Sequence, residues 1–308
     1  MHNYNEIFLK FTRREWSKLR DHMPLNVNES DLTYLMGLNE PISLKEISDI
    51  YLPISRLINL HYNSNRNLHA YRDNFLGQKS IKVPYILGIA GSVSSGKSTT
   101  ARVLKTLLER SSEKYSVVIV TTDNFLYPNK ILRLRNIMNK KGFPESYNIK
   151  TLIKFLIGLK SGIKSLKIPV YSHLEYNILS GKYQEIKDPD IVILEGLNIL
   201  QKQQNGTMHI SNFLDFSIYI DASLNSLRDW FVQRFLLLKR TAFINKNSYF
   251  NNYARISDEE AILKASSIWK DINEKNLINN ILPTKGRADI ILEKTNDHSV
   301  KSIMMRKL

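Results

Sequence analysis

Apolar residues along the chain fall in short dense runs, set between longer stretches where they recur every three or four positions. The first run, Pro84-Tyr85-Ile86-Leu87-Gly88-Ile89-Ala90, ends in a glycine-rich loop, and a helical pattern follows through Leu104, Leu107 and Leu108. Further runs lie at 117–120, 191–194, 216–220 and 290–292. Short apolar runs alternating with helix-length stretches predict an α/β protein with a mainly parallel sheet flanked by helices. Residues 1–80 read as a helical extension packed on that body. Within it, Ser43-Leu44-Lys45-Glu46 has the form of a capping box, in which serine and glutamate each satisfy an orphan amide. Ile47, Ile50, Tyr51, Ile54, Leu57 and Ile58 then form one apolar stripe, expected to pack on the core. Pro53 inside the stripe predicts a kink. No repeat or low-complexity linker divides residues 1–308, so a single domain is expected.

Composition narrows the class. Of 308 residues 43% are hydrophobic and 24% charged, a balance that supports a buried core and excludes whole-chain disorder. Cysteine is absent, which excludes disulfides, zinc-thiolate sites and a cysteine nucleophile. Lys and Arg number 44 against 29 acids, a net charge of +15. Such an excess suits nucleic acid, an anionic membrane or a phosphorylated ligand. The cations are scattered beside Asn and Ile, however, as in FINKNSYFNNY, a pattern that AT-rich codons also produce. No stretch approaches ~18 consecutive apolar residues, and the opening MHNYNEIFLKFTRREW mixes charge into its apolar positions. The expectation is a soluble cytoplasmic protein without a signal peptide, binding neither membrane nor nucleic acid.

The chemistry concentrates after the first strand. Gly91, Ser92, Val93, Ser94, Ser95, Gly96, Lys97 and Ser98 match G-x-x-x-x-G-K-[ST], with Thr99 next in the helix. Glycines let successive amides curl around phosphate, the lysine reaches the β- and γ-phosphates, and the serine hydroxyl ligates Mg²⁺. With Gly at ~7% of residues, the motif arises by chance in about one chain of this size in a hundred. Its place between strand and helix makes chance rarer still.

Two acids narrow the phosphate chemistry. Asp123 ends the run VVIVTTD, and Glu195 ends DIVILEG. Ligands of open α/β sheets sit beyond the carboxyl ends of the strands. A carboxylate at 123 can take a hydroxyl proton or hold Mg²⁺ through water, and one at 195 can help order the metal. Guanine-reading N-K-x-D motifs are not seen, which favours a small-molecule kinase. Arg228, Arg234, Lys239 and Arg240 lie on one predicted helix over 227–240, able to supply a lid arginine to the transferring phosphoryl group. Phe243, Tyr249, Phe250 and Tyr253 beyond it can line an apolar pocket. Lid and pocket are expected within about 225–280.

The segments GSVSSGKSTTARVL, TTDNFLYPN, KKGFPESYN, PVYSHLEYN, ILEGLN, DFSIYIDA and NILPT, in this order, resemble bacterial type I pantothenate kinase, a P-loop kinase related to uridine kinase and phosphoribulokinase. The resemblance implies transfer of the ATP γ-phosphate to pantothenate, the first step of coenzyme A synthesis. It also implies a homodimer and feedback inhibition by coenzyme A thioesters. By motif position it implies Asp123 as base, Arg234 as phosphoryl-stabilising arginine, Lys97 as the P-loop lysine and Ser98 as metal ligand. It implies Tyr171, His173, Tyr176 and Asn273 in the pantothenate site, and Asn39, Lys294 and His298 in the adenine region. Lys97, Arg102 and His173 match the coenzyme A site. Three residues depart from the pattern: Phe231 stands for a tyrosine near the substrate carboxylate, Leu238 for a pocket phenylalanine, and Asn124 for a glycine after the base. A nucleoside or sugar kinase of the same branch is the nearest alternative, and a basic nucleic-acid-binding ATPase the more distant one.

Overall fold

A computed structural model describes residues 6–202 and 208–307. Nine strands are present among them: β1 Phe8–Thr12, β2 Tyr85–Gly91, β3 Val117–Thr121, β4 Ser165–Ser172, β5 Asn177–Lys187, β6 Ile191–Gly196, β7 Phe216–Asp221, β8 Ile290–Lys294 and β9 Val300–Arg306. Seven of them form one sheet in the order β1-β9-β8-β7-β2-β6-β3, while β4 and β5 make a separate antiparallel ribbon. The central pairs β7/β8, β7/β2, β2/β6 and β6/β3 are parallel, and β8/β9 and β9/β1 are antiparallel. All five apolar runs read from the sequence are the parallel strands.

Those runs are continuous because both faces of the sheet are covered. Leu87, Ile89, Ile193, Ile218 and Leu292 face a core shared with the helix Lys97–Glu109 and with Ile47, Ile50, Ile54 and Ile58 of the N-terminal segment. Ile86, Val192, Leu194, Tyr219 and Ile291 face the other core, with Leu152, Phe155 and Leu156 of helix Ile149–Lys160 and with Trp230 and Trp269. A third cluster joins Phe235 of helix Leu224–Lys239 to Phe243, Ala261 and Ala265.

The N-terminal segment departs from an all-helical reading. It opens with β1, which pairs along β9 before Thr12 caps the helix Arg13–Lys18 in a reciprocal box with Glu15. Ser43 does accept from the amide of Glu46, at 3.1 Å. The other half of that box is missing, because the Glu46 carboxylate turns to Arg13 and to the amide of Val300. Pro53 breaks no helix. The backbone stays helical from Leu44 through Phe75, and the widened turn over Ile47–Tyr51 just before Pro53 accommodates the proline's missing donor.

Candidate active site

The P-loop joins β2 to the helix Lys97–Glu109 and turns through left-handed backbone at Ser94 (φ 61°) and Gly96 (φ 99°). A side chain at Gly91 would press on the carbonyl of Ile220 in the neighbouring strand, at 2.7 Å, so close strand packing requires the glycine. Lys97 folds back on its own loop and donates to the Ser92 carbonyl at 2.5 Å. Loss of water around the ammonium pushes it down to about 8, with the charges of Glu195 and Asp123 opposing.

Glu195, near the end of β6, accepts from the Ser98 hydroxyl at 3.1 Å. Its other oxygen, Oε2, is buried with no hydrogen-bond partner, and burial raises its pKa. An unpartnered carboxylate oxygen beside a serine hydroxyl fits Mg²⁺, the remaining ligands being phosphate and water. Among the described residues no group of three or more His, Asp or Glu forms a complete metal cage.

Asp123 lies one turn past its strand. β3 stops at Thr121, whose hydroxyl accepts from the Asp123 amide at 3.3 Å, and Asp123 sits in the short turn Thr122–Phe125. The Tyr147 hydroxyl donates to Oδ1 of Asp123 at 3.4 Å. Facing it is a wall of rings: Tyr171 against His173 at 5.1 Å, and Tyr176 against Tyr249 at 5.3 Å and Phe250 at 4.9 Å. Burial pushes His173 below its ordinary value, against the pull of Asp123. Asn124, where the resembled family has glycine, accepts from the Tyr171 amide at 3.1 Å and so fixes that wall to the Asp123 turn.

Lys141 is the residue that sequence reasoning missed. It is 8% exposed. Its ammonium lies 3.7 Å from the Tyr176 ring centroid and 5.0 Å from that of Tyr171, and donates to Asn129 Oδ1 at 2.8 Å. Burial pushes it down to about 8, with Asp123 opposing. Its loop is pinned at the next residue, where Asn198 and Asn276 both donate to the Gly142 carbonyl, at 3.0 and 2.9 Å.

The four cations of helix Leu224–Lys239 and its end separate clearly. Arg228 pairs with Asp229, and Lys239 and Arg240 pair with Asp258. Arg234 makes no such pair among the described residues and lies in the field of Glu40, Glu195 and Asp123. Asn39 donates to the Trp230 carbonyl at 2.9 Å, and His298 stacks on the Trp230 ring at 4.0 Å. The two therefore meet on Trp230. Lys294 turns its ammonium to Glu40 and to the carbonyl of Ser95.

Other expected residues sit less simply. Arg102 spends its guanidinium on the carbonyls of Leu35 and Met36, at 2.9 and 3.0 Å. Phe243 is 5% exposed and packs behind Phe250, and Phe231 packs on Trp269 at 5.8 Å. Asn273 lies half-buried in the helical turn Trp269–Asn273, and its side chain makes no hydrogen bond among the described residues.

Residues 86–235 match the phosphoribulokinase / uridine kinase family. A pantothenate kinase of Pectobacterium carotovorum subsp. carotovorum is 48% identical over 97% of this chain and 96% of its own length. One from Brevibacillus brevis is 49% identical over 98% of this chain and 96% of its own. Among solved structures, a D-glycerate 3-kinase from Cryptococcus neoformans var. grubii superposes with a TM-score of 0.53 at 14% identity, over 80% of this chain and 97% of that one. That likeness reports the P-loop kinase fold alone. With near-complete coverage of both sequences at this identity, the chain belongs to the pantothenate kinase family.

Proposed function

We propose that the chain is an ATP-dependent pantothenate kinase. The observation that carries the reading is one cleft holding a P-loop, a strand-end carboxylate and a ring wall, in a chain about 48% identical to pantothenate kinases. Lys97 and the loop amides hold the β- and γ-phosphates, and the Ser92 carbonyl releases the ammonium when they arrive. Ser98 and Glu195 would hold Mg²⁺, which would supply positive charge to offset the phosphates. Asp123 takes the proton from the pantothenate primary hydroxyl as its oxygen bonds to the γ-phosphorus, while the bond to the β,γ-bridging oxygen breaks. Arg234, which pairs with no acid among the described residues, supports charge on the transferring group. Tyr171, neutral His173, Tyr176, Tyr249 and Phe250 flank the acceptor, with Asn273 and the Lys141 ammonium as candidates for its carboxylate.

Two finer readings accompany this one. Coenzyme A and its thioesters compete for the phosphate cradle through Lys97, Arg102 and His173. A second copy of the chain covers the far part of helix Leu52–Phe75, whose Leu68, Tyr71 and Phe75 are exposed at helical spacing. No described helix is long and apolar enough to cross a membrane. The experiment is a coupled assay of ADP release with pantothenate, uridine or no acceptor. Pantothenate-dependent turnover is expected. Turnover with uridine alone would move the chain to the nucleoside kinases.

A further inference from the structure

Behind the P-loop two charges are shut away from solvent. Lys294 at the end of β8 and Glu40 in the N-terminal segment form an ion pair, and they are 5% and 8% exposed. The Lys294 ammonium also donates to the Ser95 carbonyl, at 3.1 Å. Gly96 follows with φ 99°, and a Cβ built there would collide with both the Glu40 carboxylate and the Lys294 ammonium. The pair therefore fills the space that the glycine leaves open.

Glu40 is itself held from three sides. A short bridge links it to Gly37. Arg102, on the helix that the P-loop opens, grips the carbonyls of Leu35 and Met36. Asn39 ties the same turn to the Trp230 carbonyl. Burial works against the Glu40 carboxylate, yet Lys294 and a hydrogen bond from Thr99 hold its pKa below the ordinary value.

We propose that Glu40 and Lys294 are positioning residues for the phosphate-binding loop, their ion pair setting the Ser95–Gly96 backbone before nucleotide arrives. The inference rests on reading the loop as the ATP site. A loop with left-handed backbone at the non-glycine Ser94 persists only when its surroundings over-determine it. An apolar residue could fill the space but could not grip a carbonyl. Opposite charges grip it while adding no net charge near the phosphates. A buried pair is a poor source of net stability compared with apolar residues of like volume, which makes loop geometry the better account of its presence. On this account the N-terminal segment belongs to the nucleotide site and is more than a cover for the core.

Three variants of the full chain test it: Glu40→Gln, Lys294→Met and the double variant Glu40→Met/Lys294→Met. MgADP affinity by calorimetry, amide exchange over 91–99, melting temperature, and KM for ATP and for pantothenate are measured on each. Glu40→Gln is expected to weaken MgADP about tenfold and raise KM for ATP alike, to speed exchange of the loop amides, and to leave KM for pantothenate unchanged. It is the sharper single variant, because Lys294 also falls in the implied adenine region. The double variant removes the stranded charge and is expected to recover melting temperature while keeping the weak MgADP affinity. A double variant that regains both would make the pair purely structural and overturn the proposal. So would wild-type MgADP affinity in Glu40→Gln. Failure of the pantothenate reading shows elsewhere, as a wild-type chain that turns over no pantothenate yet binds MgADP.

Discussion

Asp123 and Lys97 share one cleft but answer to different experiments. If Asp123 removes the hydroxyl proton, Asp123→Asn lowers kcat by ~10²–10⁴-fold and leaves MgADP affinity nearly unchanged, as stopped assays and calorimetry on one preparation will read. Loss of MgADP affinity with little loss of kcat would make Asp123 a metal support. Lys97 predicts a proton effect. Its ammonium is held down to about 8 by burial, so the folded chain binds fewer protons than the unfolded one between about pH 8 and 10.5. Stability from this group is present at high pH and lost as pH falls through 8. Phosphate reverses the balance by favouring the charged form. Binding of MgADP near pH 8.5 is therefore expected to take up protons, read by calorimetry in two buffers of different ionisation heat, and Lys97→Met abolishes the uptake. Lys97, Asp123 and Glu195 were legible in sequence because each follows an apolar strand at the end where ligands sit. Lys141 was not. Its role depends on burial against Tyr176 and on Asn129, which the fold brings to it from elsewhere in the chain.

Elements were legible where burial is two-sided. The five parallel strands are apolar on both faces and stand out as runs. The ribbon β4–β5 does not, since most of β5 is exposed and polar and is held by backbone pairing with β4. The antiparallel strands β1 and β9 were missed for a related reason: their apolar residues are mixed with charged and polar ones, and β1 finds its partner at the opposite end of the chain. The ribbon and its turn nonetheless carry Tyr171, His173 and Tyr176 of the ring wall, and the loop bearing Lys141 is held beside them by the two donors to the Gly142 carbonyl. Removing one of the two donors to Gly142 should loosen that loop. Asn276→Ala is expected to raise KM for pantothenate about fivefold, the equivalent of one hydrogen bond of ~1 kcal/mol, with KM for ATP unchanged. Equal increases in both constants would place the effect in the whole cleft and not in the acceptor wall.

At the scale of the molecule the net charge of +15 proved less informative than one exposed face. Helix Leu52–Phe75 begins as core, with Ile54 and Ile58 buried, and then runs outward. There Leu68 is 65% exposed, Tyr71 71% and Phe75 88%. Three large apolar side chains at successive turns form a patch that water disfavours. The sequence showed the stripe at the buried end of this helix but not where cover ceases, because that limit is set by how far the sheet and the helix Lys97–Glu109 extend beneath it. A second copy offering the same face would bury both patches about a two-fold axis, the commonest way soluble chains associate. The wild-type chain is then expected to sediment at twice its 35.8 kDa. Tyr71→Asp/Phe75→Asp, which sets two like charges against their copies, should sediment as a single chain with its fold retained, since neither side chain contributes to a core. A wild-type chain that sediments singly at micromolar concentration would remove the dimer and leave this face to some other partner. If instead the variant separates and keeps its kcat, each cleft is complete within one chain, as the placement of Lys97, Asp123, Glu195 and Arg234 within a single fold requires.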